Sequence, residues 1–233
     1  MAISKGLIWK AAGVVLIIYS IIWGLIGDVP KLNILEESIR NLYFHVPMWF
    51  GMILLLLVSM IFSIRYLTSY KLGNDRIAIE FANTGFAFGI LGFFFFFLWA
   101  KFTWGSYFSW DPKQLSTLIA LLVYLAYFIL RMSINDNRQR AVVSAVYNIF
   151  AFAALIPLLF ILPRMTDSLH PGNGGNPGFN AYDLDNRMRM VFYPAVVGWT
   201  LIGAWVAQLR YRVRMIEDKR NYKRGLEEFI KDE

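Results

Sequence analysis

The chain has 233 residues, 58% of them hydrophobic and 17% charged, with mean hydropathy +0.49 and net charge +7. Soluble domains carry nearer a quarter charged residues, so this composition excludes an ordinary soluble domain and indicates an integral membrane protein. There are no cysteines, which removes disulfides, thiolate metal sites and Cys-x-x-Cys redox chemistry.

Six apolar runs follow in order, at 7–27, 46–67, 77–100, 115–131, 141–162 and 190–209. Each approaches the length a helix needs to cross an apolar core of about 30 Å. They lack the alternation of a membrane barrel strand, so the expected fold is all-α, a six-transmembrane-helix bundle. The first run follows basic residues but lacks a small-x-small cleavage site before Asp28, so it reads as a retained span and not a signal peptide.

Lys and Arg fall mostly at Lys5, Lys10, the loops at 68–76 and 132–140, and the segment after 209. The positive-inside rule then puts both termini in the cytoplasm. The basic excess lies at the inner membrane surface, which argues for a lipid bilayer partner and no nucleic acid. The organisation is a membrane domain at 1–209 and a basic cytoplasmic helical tail at 210–233.

The external segments, 28–45, 101–114 and 163–189, are longer and hold the unusual residues. In the first, Leu32, Leu35, Ile39 and Leu42 share a helical face. Asn33 with Glu36 resembles a capping box, and Glu36 with Arg40 an i,i+4 pair. A short surface helix is expected, leading to His45 at the mouth of the second span and to Pro47 in its first turn. The third span carries Gly85-x-x-x-Gly89 and Gly92, spaced for close helix approach. Phe93 to Phe97 and Trp99 at its outer end read as lipid-facing bulk and an interface belt, ahead of contact with a ligand. Asp111 and Pro112 mark the N-cap and first position of the fourth span. Pro157 predicts a kink in the fifth, which ends at Pro163. No acid or base sits mid-membrane in a way that suggests a proton relay. The last external segment is rich in Gly and Pro and contains His170.

The external loop 101–114 holds Trp104-Gly-Ser-Tyr107-Phe108-Ser-Trp110-Asp111-Pro-Lys113-Gln114. It combines flat π-faces with an acid and a base. The only two histidines, His45 and His170, lie on the same expected side. Two imidazoles and an aromatic platform suit a macrocycle with axial metal ligands, as in haem. Arg40, Lys101, Lys113 and Arg164 are candidates to pair with propionates. Zinc fits less well, because no third ligand is evident. No phosphate-binding Gly-x-x-x-x-Gly-Lys-[Ser/Thr] loop and no nucleophile elbow occur, so the chain reads as no enzyme.

The Trp104–Lys113 run resembles the tryptophan-rich WWD signature of the haem-handling proteins of cytochrome c biogenesis. With six spans, the Tyr43-Phe44-His45-Val46-Pro47 element and the His170 loop, the chain resembles the haem exporter protein C (CcmC) branch or a short CcsA-type relative. The resemblance covers residues 28–209. It implies haem b as transient cargo, His45 and His170 as metal ligands, and the signature as the apolar face that presents haem outside. It further implies a periplasmic haem acceptor or chaperone, other membrane assembly subunits with an ATP-driven transporter among them, and a place in the bacterial inner membrane with the functional face periplasmic. Two departures stand out: Phe108 replaces a Trp frequent in the signature, and Asp111-Pro112-Lys113 is closer to the CcsA-type ending. Two other classes compete with this reading, a b-type electron-transfer subunit and a permease subunit without bound haem.

Overall fold

A computed structural model describes residues 2–31, 35–170 and 184–231, with the side chains of 2–5 and 225–231 left aside. It contains six long helices: α1 Ala2–Ile26, α2 Leu42–Ser69, α3 Leu72–Trp104, α4 Pro112–Ser133, α5 Asn137–Ile156 and α6 Asn186–Lys231. All six segments are long and apolar enough to cross a membrane. No strand occurs among the described residues. Six crossings return the chain to the side where it began, called here the terminal side. The opposite side carries the start of α2, the end of α3 and the start of α4.

The bundle is held by close backbone approach, because lipid gives apolar side chains no reason to leave it. A Cβ at Gly85 would lie 2.9 Å from Leu56 and 3.3 Å from the Met52 carbonyl, and one at Gly89 would lie 2.7 Å from Leu121 and Met52. The expected small-residue face of α3 therefore packs on α2. Gly13 and Gly198 do the same between α1 and α6, where a Cβ would meet Leu201 at 3.1 Å and Ile17 at 3.0 Å. Exposed apolar side chains such as Leu7, Ile8, Phe94 and Ile129 form the lipid-facing surface. Buried polar groups are tied across helices. Asn148 Nδ2 donates to Ser59 Oγ at 2.7 Å and to Ser63 Oγ at 2.8 Å, joining α5 to α2.

Several expectations are corrected. The expected surface helix is a 3-10 segment, Glu36–Asn41, that runs directly into α2. Its start, Leu35, makes no side-chain cap; Leu32 and Asn33, the other parts of that reading, lie outside the described residues. Arg40 pairs with Glu37, not Glu36. Pro47 is inside α2, past its first turn, and His45 is already helical. The third run continues to Trp104, so the first four residues of the 101–114 loop are helix. The kink at Pro157 takes the form of a π-helical turn, Pro157–Ile161, followed by a 3-10 turn, Leu162–Arg164.

Charged groups also enter α3. Glu80, 2% exposed, bonds to Arg210 and Arg214, and buried Asp75 pairs with Arg131 through two 2.7 Å bonds. The segment after 209 is the continuation of α6 itself, and Arg76 on α3 reaches Asp218 on it at 2.7 Å.

Candidate functional site

His45 and His170 meet at the end of the bundle opposite the termini. His45 is one turn into α2, and its Nδ1 lies 2.7 Å from the carbonyl oxygen of Asn41 one turn earlier. A carbonyl only accepts, so Nδ1 carries the proton and donates, leaving the Nε2 lone pair free. His170 is held from a different direction. Its Nδ1 is 3.2 Å from Asp111 Oδ1, which makes Nδ1–H the donor and Nε2 the open nitrogen here too. Both residues are buried, at 8% and 7% exposure. Neither Nε2 has a hydrogen-bond partner among the described residues.

Asp111 is the hub that sets His170. Asp111 Oδ1 accepts from the Lys113 amide at 2.9 Å, which caps α4 as its sequence position predicted. The same carboxylate accepts from Ser168 Oγ at 2.9 and 3.0 Å and from the Leu169 amide at 2.8 Å. Burial by itself would raise the Asp111 carboxyl, but the hydrogen bonds from His170 and Leu169 outweigh it and hold the group well below the usual carboxylate range. Burial pushes the His170 imidazole down from its ordinary value, against the pull of Asp111 and with help from the Lys113 charge. At neutral pH the site therefore holds an ionised carboxylate beside a neutral imidazole.

The two imidazoles share one set of rings. Phe96 lies with its centroid 5.9 Å from His45 and 4.7 Å from His170. Trp99 is 5.9 Å from each, stacked on His45 at 21°. Trp104 closes the group, 4.6 Å from His170 and 4.8 Å from Trp99, both edge-on. The Trp99 indole Nε1 is buried with no acceptor among the described residues. α3 supplies all three rings, Phe96, Trp99 and Trp104, from successive turns of the side it turns inward; Phe96 and Ala100 on that side are buried while Phe94 is 56% exposed.

After Trp104, Gly105 ends α3 in a left-handed conformation, φ +78°, and the chain crosses to Asp111. Gln114, 1% exposed, braces this loop: its Oε1 accepts from the Ser109 amide at 2.8 Å and its Nε2 donates to the Tyr107 carbonyl at 3.4 Å. Trp110 sits at φ +58°, unusual for a bulky residue, and its ring is 74% exposed; Tyr107 is 53% exposed. Phe108 packs edge-on between Phe97 at 5.9 Å and Trp110 at 5.0 Å. The signature thus divides. Trp104 and Asp111 work inward on the histidines, while Tyr107 and Trp110 present apolar surface outward.

The basic candidates are less uniform. Arg40 is committed elsewhere, donating to the Gly24 and Gly27 carbonyls at the end of α1 and pairing with Glu37. Lys101 donates to the Gly105 carbonyl at 2.9 Å and lies over the Tyr107 ring. Lys113, beside Asp111, is within electrostatic reach of both histidines and of Arg164. Of the cations, Lys113 is therefore the one set at the paired imidazoles.

Sequence reasoning ranks Phe96 and Trp99 as lipid belt ahead of ligand contact, and it gives no role to Gln114, Asn41 and Ser168. A polar Gln at the end of an aromatic stretch and Asn41 one turn before His45 were the available signals.

A six-span helical membrane protein with two oriented imidazoles and an aromatic wall at one end is the class that the fold and site define. The family model described as heme exporter protein C, CcmC, matches residues 2–225, and the chain belongs to that family. It is similar to heme exporter protein C of Escherichia coli strain K12, at 24% identity over 217 residues, covering 91% of this chain and 85% of that protein. It is also similar to the cytochrome c biogenesis protein CcsA of Parasynechococcus marenigrum strain WH8102, at 36% identity over 91 residues, covering 39% of this chain. A third relative, CcsA of Synechococcus sp. strain CC9311, is 41% identical over 72 residues, covering 30% of this chain. The chain spans less than a third of the length of these CcsA relatives, 29% and 24%.

Proposed function

We propose that this protein binds haem b as transient cargo and hands it on for cytochrome c maturation. His45 and His170 ligate the iron through Nε2. Trp104, Tyr107, Phe108 and Trp110 contact the ring, Asp111 orients His170, and Lys113 pairs with a propionate. Arg40 acts on the site indirectly, by anchoring the end of α1 beside the start of α2. The site faces the periplasm from the bacterial inner membrane, with both termini cytoplasmic. The haem goes to a periplasmic acceptor, with other membrane subunits of the assembly system and an ATP-driven transporter alongside. The protein carries and presents haem; it does not make the covalent bond.

One observation carries the reading. Two imidazoles from distant parts of the chain are each tied at Nδ1, each has an open Nε2, and both lie on the same two aromatic rings. Haem supplies the equatorial donors itself and asks a protein for axial nitrogen and flat apolar walls. Among the described residues no group of three His, Asp or Glu is placed to hold a bare metal ion. A b-type electron-transfer subunit, which usually carries His pairs within its spans so that haems stack across the membrane, is disfavoured because the two histidines, His45 and His170, both lie at one end of the bundle. The family and the E. coli relative's name support haem as the cargo.

The test is the visible spectrum of protein purified with haem supplied. Wild type is expected to show one haem with two nitrogen ligands, and His45→Ala and His170→Ala each to lose that spectrum. Two variants with unchanged haem content and spectrum would sink the ligand assignment. A wild type that takes up no haem would favour the permease reading.

A further inference from the structure

The haem-ligand reading leaves Phe96 and Trp99 without a role, yet they occupy the most consequential place in the site. They sit one turn apart on α3, and each touches both imidazoles: Phe96 at 5.9 and 4.7 Å, Trp99 at 5.9 Å twice. An iron ligated by both Nε2 atoms needs a flat macrocycle between the two imidazoles. Two rings that each lie against both imidazoles border that volume. Phe96 is only 5% exposed, so it has no free space to yield without a movement of its neighbours.

Trp99 differs from Phe96 in carrying a polar edge. Its Nε1 is buried with no acceptor among the described residues, so turning outward loses none of the hydrogen bonds described and lets the donor find one. The edge-on contact with Trp104 at 4.8 Å couples its rotamer to the signature loop, where Trp110 holds a left-handed backbone at φ +58°.

Resting on the haem-ligand reading, we propose that Phe96 and Trp99 form an aromatic divider that competes with haem for the space between His45 and His170, and that this competition sets how readily haem is released. A site whose competent arrangement has to displace its own side chains binds more weakly by the fraction of time it is open. For a cargo carrier that weakness is useful, because haem must leave. Phe96 and Trp99 act on the ligands by position and are not ligands themselves.

The experiment follows release from full-length, haem-loaded protein in detergent, by transfer to excess apomyoglobin. Phe96→Ala and Trp99→Ala are expected to release haem about fivefold to tenfold more slowly, through removal of the competing conformer, with the two-nitrogen spectrum kept. Trp99→Phe, which keeps a smaller aromatic ring, is expected to release haem at a rate between those of wild type and Trp99→Ala. Phe94→Ala, on the lipid face, is expected to change nothing. If the alanine variants do not fold, Trp99→Phe, Trp99→Leu and Phe96→Leu give a graded series in which release slows as ring volume falls. Rates unchanged within about twofold across either set, or faster release, as loss of a simple stacking contact would give, overturn the divider. Its failure is separate from failure of the ligand reading, which shows as a wild type that takes up no haem or as histidine variants with an unaltered spectrum; either result removes the divider as well.

Discussion

Asp111 and His170 are 59 positions apart in sequence and joined by a 3.2 Å contact between Oδ1 and Nδ1. The same oxygen caps α4 through the Lys113 amide. One carboxylate therefore fixes a helix start and an imidazole at once. Asp111→Asn keeps a capping oxygen but loses the charge that orients His170. Haem affinity is expected to fall by about 10- to 100-fold, the usual cost of removing such a partner of a metal-bound His. Asp111→Ala is expected to lose, in addition, about 1 kcal/mol of cap stability. Haem titration and thermal unfolding separate the two effects.

Acid should weaken the folded state in two stages. His170 stays neutral below its ordinary range when folded, whereas the unfolded chain takes up a proton near pH 6.5. The unfolded state then binds more protons in that window, so stability falls as pH drops through it. Asp111 is ionised below the usual carboxylate range when folded. Its contribution is complete above about pH 4 and is lost as pH falls toward the lower folded value. Thermal midpoints in detergent are expected to be level near neutrality and to decline below about pH 6.5 and again below about pH 4. His170→Gln should make the first decline shallower, with the other buried histidine, His45, still in place, and Asp111→Asn should make the second shallower; matching curves for all three proteins would contradict this assignment.

Glu80 is the buried member of a charge cluster whose arginines, Arg210 and Arg214, keep 49% and 40% of their side chains exposed. The two halves are not equivalent. Glu80→Gln leaves partly exposed cations that can turn to solvent, at an expected loss of about 1 kcal/mol. Arg210→Ala with Arg214→Ala strands a buried carboxylate, at about 3–5 kcal/mol. Adding Glu80→Leu to that pair should recover most of the loss. Unfolding in mixed micelles measures all three; equal costs for the two halves would contradict the asymmetry.

Gly85 and Gly73 lie on the same helix with opposite surroundings. A Cβ at Gly85 meets Leu56 at 2.9 Å and the Met52 carbonyl at 3.3 Å, while one at Gly73 meets nothing within 4 Å. Gly85→Ala should therefore separate α2 from α3 and cost about 1–3 kcal/mol. Gly73→Ala should be neutral or stabilising by up to about 1 kcal/mol, by helix propensity. The difference in thermal midpoint between these variants tests whether α2 and α3 pack through backbone contact.

The spans were legible as apolar runs, and the start of α4 was legible in Asp111-Pro112, because caps and hydrophobicity are local. The roles of the aromatic residues were not. Phe93 to Phe97 are five identical letters, and only the rotation of α3 against its neighbours makes Phe96 face His170 and Phe94 face lipid. Arg40 donates to backbone carbonyls, at Gly24 and Gly27, and no side-chain pattern announces such acceptors. Glu80 was visible as an acid in an apolar run, but its arginines lie 130 and 134 residues further on.

α6 carries one more implication. Its 46 residues rise about 1.5 Å each, giving a rod of about 69 Å, more than twice the thickness of the apolar core. Near its start it buries Met188, Val191 and Phe192 in the cluster that contains Ile39 and Tyr43, two residues before His45. Beyond the bundle it is strapped to α3 through Glu80, Arg76 and Asp218. A push or twist applied to the terminal end of this rod would run along it to Pro194, the proline inside the helix two residues after Phe192, where the missing backbone bond leaves a joint beside the cluster that borders His45.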